Sequence, residues 1–435
     1  AQCRALRAWF YIRLLDAFRN IPLAKSYSDI DVSNMKQVPP KEVFDFIETE
    51  LKDCVNLLTK KEALGTQANL QGQWTKAGAA ALLVRLYLNA EVYIGEARYT
   101  DCEKVAQDIV NGVYGPYLVS DRWDAAFDWD NNICDEVIFG FPASQGYSYW
   151  HYQGDTYWWT VPARFSYYAG DKKAKGGDHN TKYAASPSYD LYGNLYNYEL
   201  GMPVQKFRKY PGDFRMNLYT NLGDGRREGM FVFGDLPYID DNGNVQLVMA
   251  PVQNYTLYIR DAVGRFLNLA PDKWPADKTS TLPNGDHNSG WHFVKYPLYG
   301  DDDPHQMESD YTEIRLPEII YSLAECKLRA GKKAEAARLL NDVRKRNYST
   351  EDAKQVLYAP DGPIQLDEKE MLDEWGREFF AESRRRIDLV RFNKFHNSSW
   401  WDKNPDGGDY TKIFPIMRPI LNSNHLLQQN PGYNN

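Results

Sequence analysis

The run PEIIYSLAECKLRAGKKAEAARLLNDVRKRN, residues 317–347, constrains the fold more than any other stretch of the chain. Pro317 suits a first helical turn, Gly331 marks a helix end, and a second helical pattern follows at once. Ala324, Gly331, Ala336 and Leu340 put small or slim residues where two antiparallel helices would touch. Such a pair cannot bury its apolar faces alone. It has to be one unit in a stack of helices.

The spacing is that of a tetratricopeptide-type helix hairpin. The first third of the chain supplies partners for it. KEVFDFIETELKDCVNLL places Val43, Ile47, Leu51, Cys54 and Leu58 on one face, with Pro39-Pro40 in front. Thr75 is placed to cap KAGAAALLVRLYLNA, whose small residues allow close helix approach. TDCEKVAQDIV is a shorter helix ending near Gly112. The pair around Tyr87, Tyr99 and Cys102 fits the hairpin spacing only with a lengthened loop. Near the C-terminus, MLDEWGREFFAESRRRIDLVRF reads as one further long helix, and IFPIMRPILNSNHLLQQNPGY as an extended tail. The opening AQCRALRAWFYIRLLDAFRN is apolar nearly all round, with no capping residue before it. It is therefore expected to be a buried helix, in a sequence that starts partway into the native chain.

Between Val113 and Asp310 the helical period fades and Gly, Pro, Asn and Asp recur. VIFGF reads as a strand, and DLPYIDDNGNVQLVMA as a hairpin turning at Asp241-Asn242-Gly243-Asn244. The expected architecture is mainly α. Helix pairs from 1–112 and 311–435 form a single scaffold that carries a loop-rich excursion, 113–310, with short strands.

The chain carries 51 Lys+Arg against 59 Asp+Glu, a net charge of −8, which argues against a nucleic-acid-holding protein. Its five Cys are scattered with no C-x-x-C pair, and its seven His form no H-E-x-x-H, so neither a disulfide framework nor a zinc site is indicated. No P-loop, dinucleotide fingerprint or G-x-S-x-G is present. No cofactor or metal is expected. Asp301-Asp302-Asp303 and the 240–244 stretch read as turns rather than cation sites.

Aromatic content is the unusual quantity, at 14% with 31 Tyr and 12 Trp. It concentrates in YSYWHYQGDTYWWTVPARFSYY, 147–168, where ten of 22 residues are aromatic. A sugar ring offers an apolar C–H face and a hydroxyl rim. Aromatic rings stack on the face, and polar side chains bond the rim. Candidate ligand-binding residues are therefore Tyr149, Trp150, Tyr152, Trp158 and Trp159 for stacking, Asp155 and Arg164 for the rim, and Trp291 from a second group, WHFVKYPLY, near Trp274. Rings packing a loop-rich lobe are the competing reading of the same residues.

Several blocks, in order, resemble the SusD/RagB family of outer-membrane glycan-binding lipoproteins of Bacteroidetes. They are RALRAWFYIRLLDAFRNIPL with its Asn20-Ile21-Pro22 turn, the Ala-rich helix after Thr75, and Asp213-Phe214-Arg215 (Phe where the family has Pro). The 317–347 pair follows, then REFFAESRRRIDLVRF, with Ser383 where Gly is usual, and the Asn-rich ending through Tyr433. The resemblance implies a non-catalytic, cell-surface glycan-binding protein. It further implies an N-terminal lipid anchor absent from this sequence and a SusC-like TonB-dependent transporter as partner. Lys295-Tyr296 resembles a structural element of the family.

Two rival functions are a helical glycoside hydrolase using Asp/Glu of the central loops, and a helical-repeat scaffold that binds a protein. A hydrolase needs two carboxylates across one cleft. Glu378, Glu382, Arg385, Asp388 and Arg391 instead suggest ion pairs, Glu382 with Arg385 and Asp388 with Arg391, at helical spacing.

Overall fold

Pro40, Thr75 and Pro317 each stand where a helix begins. The computed structural model describes residues 1–144, 147, 184–223, 226–239, 242–248, 256–264, 279–286, 288–297 and 308–434. In the N-terminal third, α1 spans Gln2–Phe18, α2 Pro40–Leu57, α3 Lys76–Leu88, α4 Ala90–Ile94 and α5 Tyr99–Val110. Pro40 occupies the first turn of α2. The Thr75 hydroxyl caps α3 by accepting the Gly78 N–H at 3.1 Å. The lengthened loop that the Tyr87–Cys102 pair requires is the short helix α4.

The five α2 positions expected on one face are all buried. Helix α1 differs from expectation. It buries Ala5, Ala8, Tyr11, Ile12 and Leu15 but leaves Phe10 54% exposed, with Leu6 and Leu14 also facing outward. It packs chiefly against α2 and α3.

After α6 (Pro203–Arg208) in the central region, α7 (Leu316–Arg329) and α8 (Lys333–Arg344) form the anticipated hairpin. Ala324, Ala336 and Leu340 are fully buried at their contact. Gly331 turns between them at φ 79°, a left-handed conformation that suits glycine. Helix α7 also packs on α5 and α3, so residues from both ends of the chain share one core, from Ala5 to Phe379.

The excursion leaves and rejoins this scaffold through an antiparallel strand pair. Val137–Phe141 lies beside Tyr311–Arg315, with Phe141 opposite Tyr311 and Val137 opposite Arg315. Beyond that neck the lobe has its own core, including Phe127, Phe207, Tyr219, Phe231, Leu257 and Trp291. The hairpin read from sequence is present, with Pro237–Ile239 antiparallel to Val245–Leu247. Residues 240 and 241 of its turn, and Asp301-Asp302-Asp303, lie outside the described residues.

The long C-terminal helix expected over 371–392 is two helices. After α9 (Thr350–Val356), α10 runs Glu368–Glu378 and α11 runs Arg385–Arg391. Ala381 and Ser383 take φ 61° and 58°, left-handed values that no α-helix accommodates. The break has a physical cause. It turns Glu378 and Glu382 toward the same guanidinium, that of Arg315 at the neck.

Candidate functional site

Of the residues proposed from sequence to hold a ligand, Tyr149, Trp150, Tyr152, Asp155, Trp158, Trp159 and Arg164 lie outside the described residues, as do Trp274 and Tyr299. Tyr147, at the start of that aromatic segment, is 91% exposed. Trp291 is placed in the core of the lobe and is only 5% exposed. Its ring stacks on Phe233 with centroids 4.0 Å apart, and the Arg208 guanidinium lies 4.4 Å from the ring centroid. As placed, that ring offers no open face to a ligand. Tyr296 is also interior, and its hydroxyl accepts the Thr312 N–H at 3.0 Å.

A cavity of about 370 Å³ opens where the lobe meets the scaffold. Ala184, Ala185 and Ser186, the first described residues after the aromatic segment, form part of its wall. Phe207, Phe293, Phe379 and Phe380 make the wall largely aromatic. Its charges are mostly paired, Lys206 with Asp373 for instance. Arg385 does not bond Glu382 as the spacing suggested. Its Nη1 donates to the Leu372 carbonyl at 2.6 Å, lying over Gly376, where a Cβ would come within 3.0 Å of that nitrogen.

Beside the cavity runs a buried ionic frame. Arg315 donates to both oxygens of Glu382 at 2.8 and 2.9 Å and to Glu378 at 2.6 Å. Glu378 also accepts from Arg346 at 2.7 Å and from Arg215 at 3.3 Å. Arg215 is itself held by Asp213, both members of the Asp213-Phe214-Arg215 element. Lys295 closes on Glu382 at 2.8 Å, and burial lowers its pKa to about 8 against the pull of that carboxylate. Three guanidinium groups overcome the burial of Glu378 and hold its carboxyl well below the usual range. The Asp388–Arg391 pair expected from spacing forms at 2.9 Å.

A general acid needs a carboxyl that keeps its proton near neutrality. Glu378 is the reverse, and with Glu382 it serves to tie lobe, neck and scaffold together. Removing one partner from such a buried group costs about 3–5 kcal/mol, so the frame fixes the cavity walls. Among the described residues there is no cluster of three His, Cys, Asp or Glu able to hold a metal ion.

A second gathering of rings escaped the sequence reading. Tyr196 and Tyr198 pack 5.4 Å apart, and the Trp401 indole donates to the Ser280 carbonyl at 2.9 Å. The signals were present, four Tyr within YDLYGNLYNY and the adjacent pair Trp400-Trp401, but nothing in the sequence says that they meet.

A tetratricopeptide-like scaffold, interrupted by a loop-rich lobe through a two-stranded neck and bolted by Arg-carboxylate pairs, defines a SusD-like fold. Residues 267–433 match the family model described as the SusD family. Over those residues the chain is similar to that family. It is 26% identical over 469 aligned residues to the starch-binding protein SusD of Bacteroides thetaiotaomicron, an alignment covering 100% of this chain and 72% of that protein. Among solved structures, it matches a SusD superfamily protein from Bacteroides fragilis at TM-score 0.65 and 19% identity, over 100% of this chain and 79% of that one. A laminarin-binding SusD-like protein matches at TM-score 0.60 and 20% identity, over 100% and 78%.

Proposed function

We propose that this chain is a non-catalytic glycan-binding protein of the cell surface that passes its ligand to a TonB-dependent outer-membrane transporter. The observation that carries the reading is the end-to-end similarity to a starch-binding protein, in a chain whose most aromatic stretch lies in the grafted lobe. The buried Glu378 and Glu382 are each committed to cationic partners and serve the frame. Among the described residues no helix is long and apolar enough to cross a membrane. In this reading a lipid anchor holds the protein at the outer membrane.

Tyr149, Trp150, Tyr152, Trp158 and Trp159 supply the stacking faces in this reading, and Asp155 and Arg164 the rim contacts. Trp291 supports the site from within the lobe core. Each stacked ring removes apolar area worth ~25 cal/mol per Å², so grip comes from several rings acting along one chain. Weak individual contacts permit release to the transporter, and tethering beside it raises the local ligand concentration.

The test is affinity electrophoresis of the intact protein in gels containing soluble starch, laminarin, xylan, pectin or mucin glycans. Retention by at least one, without steady release of reducing ends, is expected. Replacing Trp150, Trp158 and Trp159 together by Ala should abolish it. Sustained release of reducing ends would establish the hydrolase reading instead.

A further inference from the structure

Three segments far apart in sequence converge on the ring cluster around Trp401. Trp400 and Lys403 exchange backbone hydrogen bonds at 3.1 and 2.9 Å, which puts Trp401 at the tip of a tight turn. That turn is pinned to the lobe twice. The indole N–H of Trp401 reaches the carbonyl and hydroxyl of Ser280 at 2.9 and 3.1 Å, and Asp402 accepts the Leu282 N–H at 2.8 Å. Tyr196 lies beside Ser280 and Trp401, and its ring packs on Tyr198. None of these three rings is fully buried.

Tyr192 lies on the turn that leads into Tyr196. Its ring is 71% exposed, yet its backbone is held rigidly. Asp190 accepts the N–H of Tyr192 at 2.9 Å, that of Asn194 at 2.8 Å, and the Asn194 side-chain amide at 3.0 Å. Gly193 closes the turn at φ 82°. A phenol on an ordered turn costs little further entropy when a ligand covers it. Its neighbours Asp190 and Asn194 put hydroxyl-bonding groups on the same turn.

We infer that Tyr192, Tyr196, Tyr198 and Trp401 form a second saccharide-contact surface, built from residues other than 147–168. This rests on the glycan-binding reading above and names a further subsite for it. The chemistry it suits is a pyranose whose C–H face lies on a ring while its hydroxyls meet Asp190 or Asn194. Two surfaces on one chain favour a long polymer over a short oligosaccharide, because the second contact is intramolecular once the first has formed.

The experiment compares wild type, Tyr192→Ala and Tyr192→Ala/Trp401→Ala in the same set of polysaccharide gels, with thermal melts alongside. On any gel that retains wild type, the double variant should bind about tenfold more weakly, with its melt preserved. A short oligosaccharide of the same sugar should bind all three proteins alike. Because Tyr192 is largely exposed, the single variant keeps the test valid if Trp401→Ala disturbs the fold, and a weakening of several-fold is expected from it alone. Unchanged retention of the folded variants on a gel that holds wild type overturns this subsite and leaves the glycan reading standing. A wild type retained by no gel overturns both.

Discussion

Arg391 lies against Glu325 as a fork on a fork, Nε donating to one carboxylate oxygen at 2.8 Å and Nη2 to the other at 2.9 Å. The pair joins α11 to α7 across 66 residues of sequence, and both side chains are 1% exposed. Glu325 also accepts from the Trp375 indole at 2.8 Å and from Arg329 at 2.9 Å, so one carboxylate organises three helices.

Replacing Glu325 by Ala would take from the buried Arg391 guanidinium one of its two carboxylates, leaving Asp388 and Asn89, and would strand the Trp375 indole N–H. The expected loss is about 3–5 kcal/mol, read as a lowered midpoint in urea unfolding. A loss under ~1 kcal/mol would mean that the frame is dispensable, since that is the range of exposed pairs.

Acid should unfold the protein through these carboxylates. Glu318, Glu325 and Glu370 are fully or largely buried, which alone would raise their pKa values. Arg85 and Arg384, Arg391, and Arg377 respectively outweigh burial and bring each to about 2. A carboxyl with a lower pKa folded than unfolded binds fewer protons in the native state, so it stabilises above its unfolded pKa. That stability is complete above about pH 4.5 and is lost as pH falls toward 2. Melting temperature against pH should show this fall, and Glu325→Gln should make it shallower.

Ser383 sits at φ 58° in the link that splits α10 from α11. A non-glycine residue there carries a left-handed penalty of roughly 1–2 kcal/mol, part of which glycine gives back in chain entropy. Ser383→Gly should therefore stabilise by up to about 1 kcal/mol, seen as a rise in melting temperature. A fall would show that the Ser383 side chain has a role in the fold beyond its backbone.

Thr75→Ala removes the hydroxyl that accepts the Gly78 N–H. The cost should be about 1 kcal/mol by urea unfolding, with glycan retention unchanged, because the cap lies in the scaffold rather than the lobe.

The amino-acid sequence alone determined the helical scaffold. The apolar faces of α2, α7 and α8, the Thr75 cap and the Pro317 and Gly331 boundaries are local signals, each set by residues within a turn or two of one another. The strand VIFGF and the hairpin of 237–239 with 245–247 were legible for the same reason. Tertiary structure decided what depends on distant partners. It broke the helix at 379–384 so that Glu378 and Glu382 could both reach Arg315, and it buried Trp291 against Phe233. It also brought Tyr196 to Trp401 across some two hundred residues. Whether an aromatic ring fills a core or faces a ligand depends on what covers it, and in this chain the covering groups come from elsewhere in the sequence.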